Sequence, residues 1–110
     1  MIDIEKLKPL IVERLKPLNP DKIILFGSYA YGSPNEESDI DLFILKDIEK
    51  DKIRNERIKG QTLLWDLVKK EKIGFDLFLD NNKSVEDRIL NYKDQFYQEI
   101  LTKGKVLYAK

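Results

Sequence analysis

Ile4, Leu7, Ile11, Leu15 and Leu18 recur at helical spacing and predict an opening amphipathic helix, which Pro9 either kinks or enters in its first turn. Asn19-Pro20-Asp21 ends that pattern. The β-branched and apolar run Lys22-Ile23-Ile24-Leu25-Phe26 stops at Gly27, as expected of a strand buried on both faces, and residues 27 to 32 turn the chain. Ser33 to Ser38 has the composition of an exposed loop, and Asp39 to Leu45 follows as a second strand. A helix is expected over about residues 51 to 70, with Ile53, Leu64, Leu67 and Val68 inward and Gly60 weakening its middle. Phe75 to Leu79 reads as a third strand. Ser84-Val85-Glu86-Asp87 resembles a capping box opening one further helix, whose stripe Val85, Ile89, Tyr92, Phe96 and Ile100 runs to Gly104. Val106-Leu107-Tyr108 can add an edge strand. The order fits a small α/β (α+β) layer, and with no repeat or linker in sight residues 1–110 read as a single domain.

Composition narrows the chemistry. Of 110 residues 42% are apolar, enough for one core, while 20 basic and 20 acidic side chains cancel, so nothing in the overall charge points to nucleic acid or an anionic membrane. Cysteine and histidine are absent. Disulfides, thiolate sites and imidazole catalysis are thereby excluded, and carboxylates, hydroxyls and oxygen-preferring cations become the candidates. An acidic N-terminal stretch and the lack of a long apolar run predict a cytoplasmic protein without a membrane segment.

Asp39 and Asp41, two apart on a predicted strand, present their carboxylates to one side while Ile40 and Leu42 face the core. Like charges so close repel, and with no run of Arg or Lys nearby a magnesium ion is the economical remedy. Asp76 interrupts another apolar strand, and pairing of the two strands would let three carboxylates hold two metals. Gly27-Ser28, leaving the first strand, would let the backbone approach a phosphate. Each signal alone is common, since Asp-x-Asp is often a solvated strand edge; their combination is specific.

The run Leu25-Phe26-Gly27-Ser28-Tyr29-Ala30-Tyr31-Gly32, followed by Ser38-Asp39-Ile40-Asp41-Leu42, resembles the signature of the minimal nucleotidyltransferases of the DNA polymerase β superfamily. The preceding helix, the Phe75 to Leu79 strand and Gly104 to Tyr108 extend the likeness over most of the chain. The resemblance implies a small mixed sheet of three to four strands flanked by helices. It also implies a metal triad of Asp39, Asp41 and Asp76 binding two Mg2+ ions, with Asp76 as the base for the acceptor hydroxyl, and Gly27 and Ser28 on the outer phosphates of ATP. Many members of the family are antitoxins that silence a HEPN ribonuclease toxin by moving AMP onto its tyrosine. That implies a protein partner, which suits a chain too short to shape a second substrate pocket. Alternatives of another kind are a module that neutralises a partner by contact alone, and transfer to a small molecule or an RNA end; the neutral charge speaks against RNA.

Several side chains are open to two readings. Tyr31 stands where the family often has Arg, and Lys22 or Lys46 are candidates to replace that cation, although solvated charge is the commoner role of lysine. Tyr29 is a candidate neighbour of the adenine or ribose, or else packs on the domain edge. Tyr92 and Phe96 are expected in the core stripe rather than at an interface, Trp65 fits a core boundary or an interface, and Lys46 to Lys59 reads as a solvated helix face.

Overall fold

Strands that are apolar at successive positions need cover on both faces, and the computed structural model, which describes residues 2–110, supplies it with helices on each side. The elements run α1 (Ile4–Leu15), β1 (Lys22–Phe26), α2 (Ser28–Tyr31), β2 (Ile40–Leu45), α3 (Ile53–Leu63), α4 (Trp65–Glu71), β3 (Phe75–Asp80), α5 (Asn82–Tyr92), α6 (Gln95–Lys103) and β4 (Lys105–Ala109). The sheet has the order β3-β2-β1-β4. β1 is antiparallel to both β2 and β4, whereas β2 and β3 are parallel. It is thus the expected mixed sheet, with four strands.

Period-two alternation sorts the strand residues between two cores. Ile23, Leu25, Ile40, Leu42, Ile44 and Leu77 pack with Leu7, Ile11 and Leu15 of α1 and with Leu64 and Leu67 around α4. Ile24, Phe26, Phe43 and Leu45 face the other way, against Val85 of α5 and Ile100 of α6. The parallel β2–β3 pair requires a crossover, and α3 and α4 provide it. Among the described residues no helix is long and apolar enough to cross a membrane.

The helix boundaries differ from the sequence pattern in five places. Pro9 lies in the second turn of α1, whose cap is Asp3, accepting from the Glu5 N–H at 3.1 Å. The helix expected over residues 51 to 70 begins with a 3-10 turn at Lys50–Lys52 and breaks at Leu64. Gly60 is buried because α3 approaches the sheet there: a Cβ would stand 2.5 Å from Leu77 Cδ2. The glycine serves packing there, and the expected loss of helix propensity is offset by the close approach it permits.

The C-terminal helix is also two helices. Asn81, not Ser84, caps α5, its Oδ1 accepting from the Ser84 N–H at 2.7 Å. Lys93 turns left-handed (φ 50°) and Asp94 caps α6 through the Tyr97 N–H at 3.2 Å. That break rotates the apolar stripe, so Tyr92 is 71% exposed and Phe96 43% exposed, contrary to the expected core positions. Trp65, at the start of α4, is likewise on the surface. The aromatic residue that turns inward is Tyr97. Its hydroxyl donates to Oδ2 of buried Asp80 at 2.7 Å, Ser84 Oγ donates to the same oxygen at 2.9 Å, and the Asn81 N–H donates to Oδ1 at 2.8 Å.

Candidate active site

The register sets Phe26 opposite Asp41 and Asp41 opposite Asp76, so one row across three strands carries a ring and two carboxylates on one face. Asp41 is half-buried and Asp76 exposed. Burial, then the charge of Asp76 and a hydrogen bond shared with it, then the charge of Asp39, push the Asp41 carboxyl up to about 6. A pair in that condition accepts a shared proton or a cation.

Asp39 is placed differently from the expectation that it belongs to the strand. β2 starts at Ile40, and Asp39 precedes it, exposed. Its Oδ1 lies against Gly74, where a Cβ would be 2.7 Å away, and the Ile40 N–H donates to the Gly74 carbonyl at 3.0 Å. Among the described residues no three acidic side chains converge into a closed coordination set; Asp41 and Asp76 form the close pair and Asp39 stands at their rim. The donors are all carboxylate oxygens, which fits a hard divalent cation such as magnesium and not zinc or copper.

Gly27 adopts φ 74°, ψ −160°, a backbone conformation open to glycine, and a Cβ there would collide with Asp41 Oδ2. The turn after β1 therefore packs directly onto the carboxylate. Its carbonyl takes the N–H groups of Ala30 and Tyr31 at 3.0 and 3.1 Å. The N–H groups of Ser28 and Tyr29, first in that turn, have no acceptor within it and are available to an anion. Ser28 is half-buried beside them.

Tyr29 is only 6% exposed and joins the core with Leu7 and Ile11. Its ring packs in the core, which fits the packing reading of Tyr29 better than a place beside an adenine or ribose. Tyr31, 42% exposed, is the aromatic residue of that turn that faces outward. Neither lysine replaces the missing arginine. Lys22 begins β1, at the opposite end from Gly27, and pairs in register with Leu45. Lys46 lies just beyond that same end and is bound to Glu56 at 2.7 Å.

Two positioning groups escaped the sequence reading. Gly74, just before β3, makes room for Asp39. Asn35 orders the loop before Asp39: its Oδ1 accepts from the Glu37 N–H at 2.8 Å and from Ser38 Oγ at 3.3 Å, while its own N–H donates to Ser38 Oγ at 2.9 Å. Asn with a Ser three residues on in an exposed loop is the available signal for such a side-chain turn.

A mixed sheet that brings a glycine turn and strand aspartates to one end matches a known class of transferase. The sequence profile of the nucleotidyltransferase domain matches residues 4–94, and the chain belongs to that family. It is a nucleotidyltransferase. A relative from Methanocaldococcus jannaschii, named "Putative protein adenylyltransferase MJ0604", is 34% identical over 87 residues, covering 79% of this chain and 77% of the relative. Among solved structures, the MntA–HpeT toxin–antitoxin complex in a D39E/D41E mutant form superposes with a TM-score of 0.61 at 22% identity, over 94% of this chain and 73% of the other. A toxin–antitoxin structure with AMP-PNP gives 0.60 at 22% identity over the same shares. These two likenesses establish the shared fold.

Proposed function

We propose that this nucleotidyltransferase transfers AMP from ATP to a hydroxyl of a protein partner, acting as the antitoxin of a toxin–antitoxin pair. The observation that carries the reading is the Asp41–Asp76 pair, set opposite each other in the parallel ladder and covered by the Gly27 turn. The name of the archaeal relative supports protein adenylylation, and the aspartate-to-glutamate mutant and AMP-PNP complex of the structural neighbours support a carboxylate site that takes a nucleotide. In this reading the N–H groups after Gly27 and the Ser28 hydroxyl hold the outer phosphates. Asp76 orients the acceptor hydroxyl and takes its proton. The acceptor oxygen bonds to the α-phosphorus, the bond to the bridging oxygen of the β-phosphate breaks, and pyrophosphate leaves. Asp39, Asp41 and Asp76 would hold Mg2+, which supplies charge stabilisation to the departing phosphates. The acceptor that the family resemblance implies is a tyrosine of a HEPN-type toxin.

The test uses ATP labelled separately at the α- and γ-phosphates, with the candidate partner and Mg2+ present. Label from the α position is expected on the partner, and appearance of γ-label there instead overturns the proposal. A contact-only antitoxin is the second reading, favoured by the absence of Lys22 and Lys46 from the Gly27 end of the sheet. Asp39→Asn with Asp41→Asn separates the two: neutralisation that survives this double change supports contact alone.

A further inference from the structure

Beyond Asp76, the same face of β3 carries Phe78 and then Asp80, at steps of about 7 Å. Phe78 is 39% exposed and Phe96 43% exposed, with ring centroids 5.5 Å apart, and both rings touch Phe26, the cross-strand neighbour of Asp41. Two large rings are thus left open to solvent immediately beside the carboxylate pair. Next to them lies a groove of about 390 Å3, lined by Phe78 and Tyr97, by Lys50 of the 3-10 turn, by Arg54 and Arg57 of α3 and by Arg88 of α5.

The charges of this groove are unbalanced. Lys50, Arg54 and Arg57 have no acidic partner within 4 Å among the described residues, and Arg88 has only Asp94 at 3.6 Å. The one carboxylate in the lining, Asp80, is buried and already accepts three hydrogen bonds. Glu56, the acidic residue of the same stretch of α3, is engaged by Lys46 and Lys59. Four cations therefore line a groove with two aromatic rings in a protein whose net charge is zero.

We infer that this shelf and groove form the acceptor subsite, in which an aromatic hydroxyl side chain stacks on Phe78 and Phe96 with its oxygen at Asp76 while acidic residues flanking it in the partner chain occupy the basic groove. The inference rests on the protein-acceptor reading above and adds the chemistry of the segment recognised. Arginine forks suit paired carboxylates, and an aromatic shelf suits a ring. The groove accommodates a few side chains only, in a chain of zero net charge, which favours an acidic polypeptide over a nucleic acid.

Binding without nucleotide tests this separately from catalysis. Fluorescein-labelled peptides of alternating Glu and Tyr, their Lys and Tyr counterparts, and a single-stranded oligonucleotide of equal length are compared by anisotropy. The acidic peptide is expected to bind in preference to both, and Arg54→Glu with Arg57→Glu to weaken it about tenfold or more, as reversal of desolvated contacts does. The variants are accepted only with an unchanged far-ultraviolet dichroism spectrum, and Arg57→Gln serves if the double reversal does not fold. Equal affinity for the basic peptide, or no loss in the variants, overturns the inference, as does tighter oligonucleotide binding that the same variants abolish. In α-label transfer to the acidic peptide, KM for peptide should rise in the variants while KM for ATP holds; a rise confined to ATP would assign the groove to the nucleotide. Acidic-peptide binding with no label transfer would instead count against the adenylylation reading and leave the docking intact.

Discussion

Asp41 sits half-buried between two other carboxylates, an arrangement that disfavours its charge and holds its carboxyl at about 6 instead of the ordinary 3.8. Between those values the folded chain binds more protons than the unfolded one, so this group's contribution to stability is greatest below about pH 4 and is lost as pH rises through 6. Without divalent metal, Asp41→Asn should therefore raise Tm at pH 7.5 by a few degrees, roughly, with the gain vanishing toward pH 4. Thermal melts of both proteins across that range check it, and a gain that grows on acidification would contradict the assignment. At Gly27 the constraint is steric. Gly27→Ala should leave a folded protein, destabilised by about 1 kcal/mol from the positive φ, but reduce transfer on the order of 100-fold because the methyl displaces the Asp41 carboxylate. The motif residues at this scale were legible because strand spacing and glycine chemistry are local. The positions of Asp39 and Tyr29 were not: which way a side chain leaves a turn depends on what packs beneath it, Gly74 in one case and the core in the other.

The elements depart from the sequence pattern where packing overrides propensity. Gly60 looks like a helix defect, yet α3 lies against Leu77 through it. Gly60→Ala sets a helix-propensity gain of about 1 kcal/mol against the shift of one flexible Leu77 methyl and should come out near neutral. Gly60→Val, which no methyl shift accommodates, should cost about 2–3 kcal/mol in denaturant unfolding. The break between α5 and α6 has a comparable logic. Asp94 supplies a second cap, and Tyr97 rather than Tyr92 turns inward to reach Asp80. Burial and the hydrogen bond to Asp80 raise the Tyr97 hydroxyl well above its ordinary range, so it stays a donor. Tyr97→Phe should then cost about 1–3 kcal/mol, the range for a hydrogen bond to a carboxyl oxygen, while Asp80→Ala should cost more because two hydroxyl donors lose their acceptor. Periodicity placed the stripe correctly at Val85, Ile89 and Ile100 and failed at Tyr92 and Phe96, on either side of the break, because it assumes one uninterrupted helix.

On the scale of the whole molecule, the sheet order brings β3 beside β2 after a crossover, and only that order sets Asp76 opposite Asp41. If the three aspartates hold magnesium, the cation binds the folded chain and not the unfolded one. At about 100 times its Kd it should add ~2.7 kcal/mol, near 10 °C in Tm, to the wild type and almost nothing to Asp41→Asn. Calorimetry with and without MgCl2 measures this, and equal stabilisation of both proteins would place the ion elsewhere. The sequence by itself determined the α/β class, the two central strands and the Gly27 turn, and it singled out the three aspartates as candidates, because strands follow from period-two patterning and carboxylates are the groups left for such chemistry in a chain without histidine or cysteine. Tertiary structure alone decided that β2 and β3 run parallel in a register joining Asp41 to Asp76, that Lys22 and Lys46 lie at the other end of the sheet from Gly27, and that Phe78 meets Phe96 while lining a groove with three arginines. The physical reason is the same for each: these are contacts between residues far apart in the chain, fixed by how strands pair and helices cover them, and no local spacing encodes them.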